Sequence, residues 1–133
     1  MSTRFTLGKH ERLKSRKLIE AIFSKGGHFT QYPFRVFYLF TDHPFALQAG
    51  FGASGRYFKR AVDRNRIKRL SREAWRLQKK GLEEKLVNQQ QRLAVFLIYN
   101  GKELPLYDQA YGKITTIIQK LSRIADENNP SHT

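Results

Sequence analysis

Residues 59–80 read KRAVDRNRIKRLSREAWRLQKK, and the spacing predicts an amphipathic helix. At about 100° per residue, Ile67, Leu70, Ala74 and Leu77 fall within an arc of about 80° that would pack. Arg64, Lys68, Arg69, Arg72, Arg76 and Lys79 spread over the opposite side, with Asn65 near the middle of the charged arc. Asp63 is placed to cap the helix N-terminus and Gly81 to supply a left-handed residue after its end. From Arg64 to Arg76 the only acid is Glu73, which the spacing pairs with Arg69 at i, i+4. The remaining cations repel one another by a few tenths of a kcal/mol per pair, a cost that a polyanion would relieve. Guanidinium forks around a short amide suit phosphates, so the helix points to RNA or DNA.

The whole chain carries the same bias. It has 133 residues with 25 Lys plus Arg against 11 Asp plus Glu, a net charge of +14. That length suits one domain, and the surplus is an electrostatic footprint for polyanions. There is no cysteine, and His10, His28, His43 and His132 are scattered, so neither a disulfide framework nor a metal-ligand spacing is present. The N-terminus lacks an apolar leader, and no stretch approaches the roughly 20 apolar residues of a membrane span, which argues against a membrane role and fits the cytoplasm.

Elsewhere in the chain, residues 1–14 form a basic lead-in expected to be partly mobile, with Arg4, Lys9 and Arg12 among its charges and Phe5 and Leu7 as candidate anchors. Ser15 can cap a first helix with the stripe Leu18, Ile19, Ile22 and Phe23, terminated at Gly26-Gly27. Residues 33–40, PFRVFYLF, read as a strand with Phe34, Val36, Tyr38 and Phe40 on one face and Arg35, Phe37 and Leu39 on the other. In the next strand Phe45, Leu47 and Phe51 share one face, and Gln48, Gly50 and Gly52 leave the other nearly bare. A bare face beside an arginine-bearing aromatic strand would let nucleic acid lie close, whereas strand glycines more commonly mark a bulge or close packing. Residues 54–59 form a basic loop leading to the charged helix. Residues 82–91 read as an extension of that helix or a further short turn, and RLAVFLIY at 92–99 as a strand covered on both faces. Ala110, Ile114, Ile117, Ile118 and Leu121 mark a last helix, and 125–133 is expected to be a disordered polar tail after a single domain spanning 1–124. The order α-β-β-α-β-α, with room for an extra short strand, gives an α+β domain with helices mainly on one face of a sheet.

Arg64-Asn65-Arg66 followed by Ile67-Lys68-Arg69-Leu70 and Arg72-Glu73-Ala74 resembles the RNR motif of the bacterial ribonuclease P protein family. The resemblance extends over roughly residues 5–121, by order and type of element more than by identity. It implies a left-handed β-α-β crossover, against the usual rule. It also implies a protein cofactor for a catalytic RNA that, with Mg²⁺ bound mainly by the RNA, removes the 5′ leader of precursor tRNA. The helix residues Arg64, Asn65, Arg66, Lys68, Arg69, Arg72 and Arg76, with Arg56, Lys59 and Arg60 before them, would contact the catalytic RNA. A cleft between the first helix and the sheet, with Arg12, Phe23, Arg35, Phe37 and Tyr38, would hold the unpaired leader. The loop departs from the more usual family pattern, where Lys-Lys and a glycine precede Ala-Val, and Arg56 and Lys59 are the two candidates for that lysine's part.

Protein-based catalysis is disfavoured by scattered acids and the lack of a nucleophile elbow, Walker loop or His pair. An architectural or ribosomal RNA-binding domain shares the charge and salt dependence. A DNA reader would need a helix before the basic one, and the residues ahead of Ala61 read as strand and loop, so DNA is not expected as a partner.

Overall fold

The computed structural model describes residues 12–129; the expectations for Arg4, Phe5, Leu7 and Lys9, and for the end of the tail, lie outside them. The elements are α1 (Arg16–Lys25), β1 (Gly27–Gln31), β2 (Phe34–Phe40), β3 (Leu47–Ala53), α2 (Ala61–Arg76), α3 (Lys80–Asn88), β4 (Leu93–Tyr99) and α4 (Tyr107–Asn128). The class is α+β, as the sequence predicts.

The sheet order is β1-β2-β4-β3, with β3 and β4 parallel and the other pairs antiparallel. PFRVFYLF therefore forms its hairpin with the short strand β1 and not with the glycine-bearing strand that follows it. RLAVFLIY inserts between them, because a strand apolar on both faces gains most from the centre of a sheet. The connection from β3 to its parallel neighbour β4 runs through α2 and α3.

Alternation sorts the side chains to two unequal cores. Val36, Val95, Leu97, Phe34 and Leu93 face α2, α3 and α4, which contribute Ile67, Trp75, Leu86, Ile114, Ile117 and Leu121. Among the described residues the other face carries α1, over a smaller cluster of Leu13, Ile22 and Ala94. Ser15 caps α1 as the sequence suggests, its Oγ accepting from the Leu18 amide at 3.2 Å.

The charged helix differs from its sequence reading in three ways. Its first turn closes earlier, the Arg64 amide donating to the Arg60 carbonyl at 3.3 Å; Arg60 takes the N-cap position and Asp63 lies inside the first turn, favourable to the dipole but capping nothing. It ends at Arg76, and Gly81 belongs to the first turn of α3. The buried residues are Ile67, Ser71, Ala74 and Trp75, while Leu70 is half-buried and Leu77, beyond the helix, is 44% exposed. The packing arc is thus turned by about 70° from the predicted one. The cause is tertiary: α2 fills the angle between β3, where Phe51 meets Trp75 edge to face at 6.1 Å, and α4, where Gln78 donates to the Tyr111 carbonyl at 3.1 Å.

α3 stops without a glycine. Gln90 takes the left-handed conformation (φ 57°), so that the Gln91 amide reaches the Leu86 carbonyl at 2.8 Å and the Gln90 amide reaches Val87 at 3.1 Å, a Schellman closure. Residues 125–128, expected as the start of a disordered tail, form the last turn of α4. Ala125 is fully buried, and Asp126 holds Lys85 Nζ at 2.8 Å and Gln89 Nε2 at 2.9 Å, contacts invisible without α3 alongside.

Candidate nucleic-acid interface

The register places the α1 side of the sheet in rows. His28, Phe37, Phe96 and Gly50 form one row, and Thr30, Arg35, Ile98 and Gly52 the next. α1 lies over the preceding row, where Ala94 is buried beneath it, and leaves Phe96 and Ile98 half-buried and Arg35 and Thr30 exposed. Phe23, on the last turn of α1 and 44% exposed, walls this open floor, its ring 4.7 Å from Phe37 and 5.4 Å from Phe96. His28 stands 6.0 Å from the Phe37 ring, and the Arg35 guanidinium lies 5.3 Å over the same ring. The result is an aromatic cleft with a cation at its edge, suited to stacking unpaired bases and meeting a phosphate.

The nearly bare face of β3 explains how the floor stays flat. A Cβ at Gly50 would come within 2.8 Å of the Phe96 ring and one at Gly52 within 3.2 Å, so the glycines admit Phe96 lying across β3. Phe96 is the site residue that sequence reading missed. Its signal was the alternation Ala94, Phe96, Ile98 within a strand taken as covered on both faces.

Two expected cleft residues are elsewhere. Tyr38 points to the larger core, packed with Phe29 and Phe40 at 6.2 and 6.4 Å between ring centres. Strand parity allows only one of Phe37 and Tyr38 in the cleft, and it is Phe37. Arg12 bridges to Ala49 on the outer edge of β3, where the Leu13 amide donates to the Ala49 carbonyl at 3.0 Å. β3 and β4 separate it from Phe37, and its charge acts instead on Arg72 of α2. Burial, then the charges of Arg12 and Arg69, lower the Arg72 pKa from its ordinary value. Arg12, Arg69 and Arg72 therefore form one cationic group at the seam between α2 and the sheet edge.

On α2 itself, Asn65, Arg66 and Arg69 are exposed and Lys68 and Arg72 half-exposed, and none of these four cations forms an ion pair among the described residues. Glu73 pairs with Arg76, whose Nε donates at 2.8 Å, and not with Arg69. The pair lies toward α4, and it removes Arg76 from the open arc. Arg64 is also engaged: its Nη1 donates to the carbonyls of Phe58 and Lys59, both at 2.8 Å. Phe58 is itself buried, so Arg64 fastens the loop carrying the exposed Arg56, Lys59 and Arg60 to the start of the helix. We expect Arg64→Ala to lower stability by about 1.5–3 kcal/mol, the range for hydrogen bonds to a charged group, as read from a urea midpoint. An unshifted midpoint would release Arg64 from this structural part.

The described residues contain no helix long and apolar enough to cross a membrane and no group of three His, Cys, Asp or Glu able to hold a metal ion. The fold and the two surfaces together define an α+β domain with a cationic helix face and an aromatic cleft.

Comparison with known proteins narrows this class. The family model described as Ribonuclease P matches residues 7–122. The ribonuclease P protein component of Porphyromonas gingivalis strain W83 is 40% identical over 103 residues, 76% of this chain and 75% of that protein. That of Chlorobium phaeobacteroides is 38% identical over 82 residues, 58% of this chain and 56% of that protein. The structure of the Staphylococcus aureus RNase P protein superposes with a TM-score of 0.67 at 19% identity, covering 84% of this chain and 94% of that one, a likeness of fold. The chain belongs to the ribonuclease P protein family and, as a member, is a protein component of ribonuclease P, working in tRNA processing in association with the RNA of that assembly.

Proposed function

We propose that the outer arc of α2, extended by Arg12 and the 56–60 loop, docks on the catalytic RNA, and that the α1–sheet cleft holds the unpaired 5′ leader of precursor tRNA. The RNA then performs the endonucleolytic hydrolysis that frees the mature 5′ end, in the cytoplasm, whose reducing conditions suit a cysteine-free chain. In this reading Mg²⁺ would be held mainly by the RNA and would supply charge stabilisation for the hydrolysis there. The protein's own residues bind and orient. Lys68, Arg69 and Arg72 offset RNA charge, while Phe23, Phe37 and Phe96 stack bases and Arg35 meets a phosphate between them. Stacking is indifferent to sequence, which suits a cleft facing many different leaders.

The observation that carries the reading is the pairing of an aromatic, cation-edged cleft with an unpaired cationic arc on a separate helix of the same small domain. Cleavage of a precursor tRNA by ribonuclease P RNA of the same source, at Mg²⁺ too low for the RNA alone, tests it. Addition of this protein is expected to restore cleavage, with none by protein alone. Salt-sensitive RNA binding without restoration would favour an architectural RNA-binding role. In binding titrations of the same assembly Phe37→Ala should weaken precursor binding by about 1–3 kcal/mol and leave mature tRNA unaffected. Equal weakening on both would reject the leader cleft.

A further inference from the structure

Beyond the open row of the cleft, the end of the sheet carries a separate hollow of about 550 Å³, between the β1–β2 turn, the 100–106 loop and the first turns of α4. The hollow lies past the same end of the sheet as the row of Thr30, Arg35 and Ile98, on the side toward α4, where a strand running out of the cleft over that end would meet it. Its construction is specific. The Tyr99 hydroxyl donates to the Glu103 carbonyl at 2.7 Å, and the Asn100 amide to the Pro33 carbonyl at 2.7 Å, which pin the loop across the sheet end. A Cβ at Gly101 would lie 2.5 Å from the Tyr99 oxygen, so only glycine lets the loop pass this close to the ring.

The lining has the chemistry of a nucleotide site. Tyr32 is 64% exposed at the turn, where the core beneath is already filled by Phe34 and Tyr99, packed edge to face at 5.4 Å. Lys102 and Lys113 are exposed on either side and form no ion pair among the described residues. Gln109 and Glu103 offer acceptors for the amino groups of a base. Loop residues 54–60 pack on the other side of Tyr99, through Phe58 at 6.1 Å and the Ser54 amide, bringing Arg56, Lys59 and Arg60 to the same end of the sheet. A volume of this size matches a small-ligand pocket, and its surroundings are predominantly cationic.

We propose that this hollow is a second single-stranded RNA subsite, taking one unpaired nucleotide of the strand held in the α1–sheet cleft, its base stacked on Tyr32 and its phosphate facing Lys102 and Lys113. The proposal rests on the cleft reading above and extends it past Arg35. It assigns a purpose to an exposed tyrosine and a glycine-dependent loop that the packing of the core does not need.

The full chain, titrated with labelled single-stranded oligoribonucleotides of increasing length, tests it. Affinity is expected to rise again at lengths beyond those that fill the cleft. Tyr32→Leu should remove that increment, about 5-fold or more, while leaving short oligonucleotides unchanged, and Tyr32→Phe should retain it. Lys102→Gln with Lys113→Gln should flatten the salt dependence of long oligonucleotides alone, by about 0.7 for each phosphate the protein ceases to neutralise. Tyr32→Leu without effect, or with equal effect at every length, overturns the subsite. Disappearance of the increment in Tyr32→Leu, combined with unchanged short-oligonucleotide binding in Phe37→Ala, would keep the subsite and reject the cleft instead.

Discussion

Trp75→Ala is expected to lower the unfolding free energy by about 3–5 kcal/mol, the cost of removing a large aromatic from a closed core. Trp75 is 1% exposed and meets Phe51 edge to face, so the cavity would open where α2 rests on β3. Domains of this kind are stable by only about 5–15 kcal/mol, so the variant would stand close to unfolding. A denaturant midpoint lowered at unchanged slope is the expected reading. Leu70→Ala, at a half-buried position of the same helix, should cost less. If Leu70 proved the costlier of the two, α2 would present the face that the sequence spacing suggested and not the one that carries Trp75.

The second large effect is on binding. Replacing Lys68, Arg69 and Arg72 together by alanine should reduce affinity for the catalytic RNA by roughly two to three orders of magnitude near 0.1 M salt. The slope of log K against log salt should fall by about 2.7, since each phosphate that a cation neutralises adds about 0.9. The fold should survive. These side chains lie on the outer arc of α2, and removing them relieves repulsion worth a few tenths of a kcal/mol per pair. Arg72 already bears part of that repulsion from Arg12 and Arg69. An unchanged slope with an intact fold would take the arc out of the interface. Arg64→Ala separates the two kinds of arginine, because its effect should appear first in stability, through the loop it fastens.

That Arg64 and Arg72, eight residues apart on one helix, have such different parts marks the boundary of what spacing can say. Helical periodicity ranks residues by angle, but Arg64 lies before the point where the core begins, and a long side chain there reaches the carbonyls of its own incoming loop. Glu73 illustrates the same limit. Arg69 and Arg76 are both within helical reach of it, and Arg76 is taken with bidentate geometry on the flank toward α4.

Amino-acid order alone was enough for the elements that depend on neighbours along the chain. Among them are the Ser15 cap, the two-faced alternation of β2, the apolar run that forms β4, the cationic helix and the motif that marks its family. Each is set by short-range spacing and the preference of apolar surface for burial. The rest was settled by packing in three dimensions. That packing put β4 between β2 and β3, turned α2 so that Trp75 and Ser71 face inward, and carried α4 on through Ala125 to meet α3. It also chose Phe37 over Tyr38 for the cleft and laid Phe96 across the β3 glycines. These outcomes depend on which faces meet across long stretches of chain, and that choice is made by all the elements at once, a quantity that no local spacing contains.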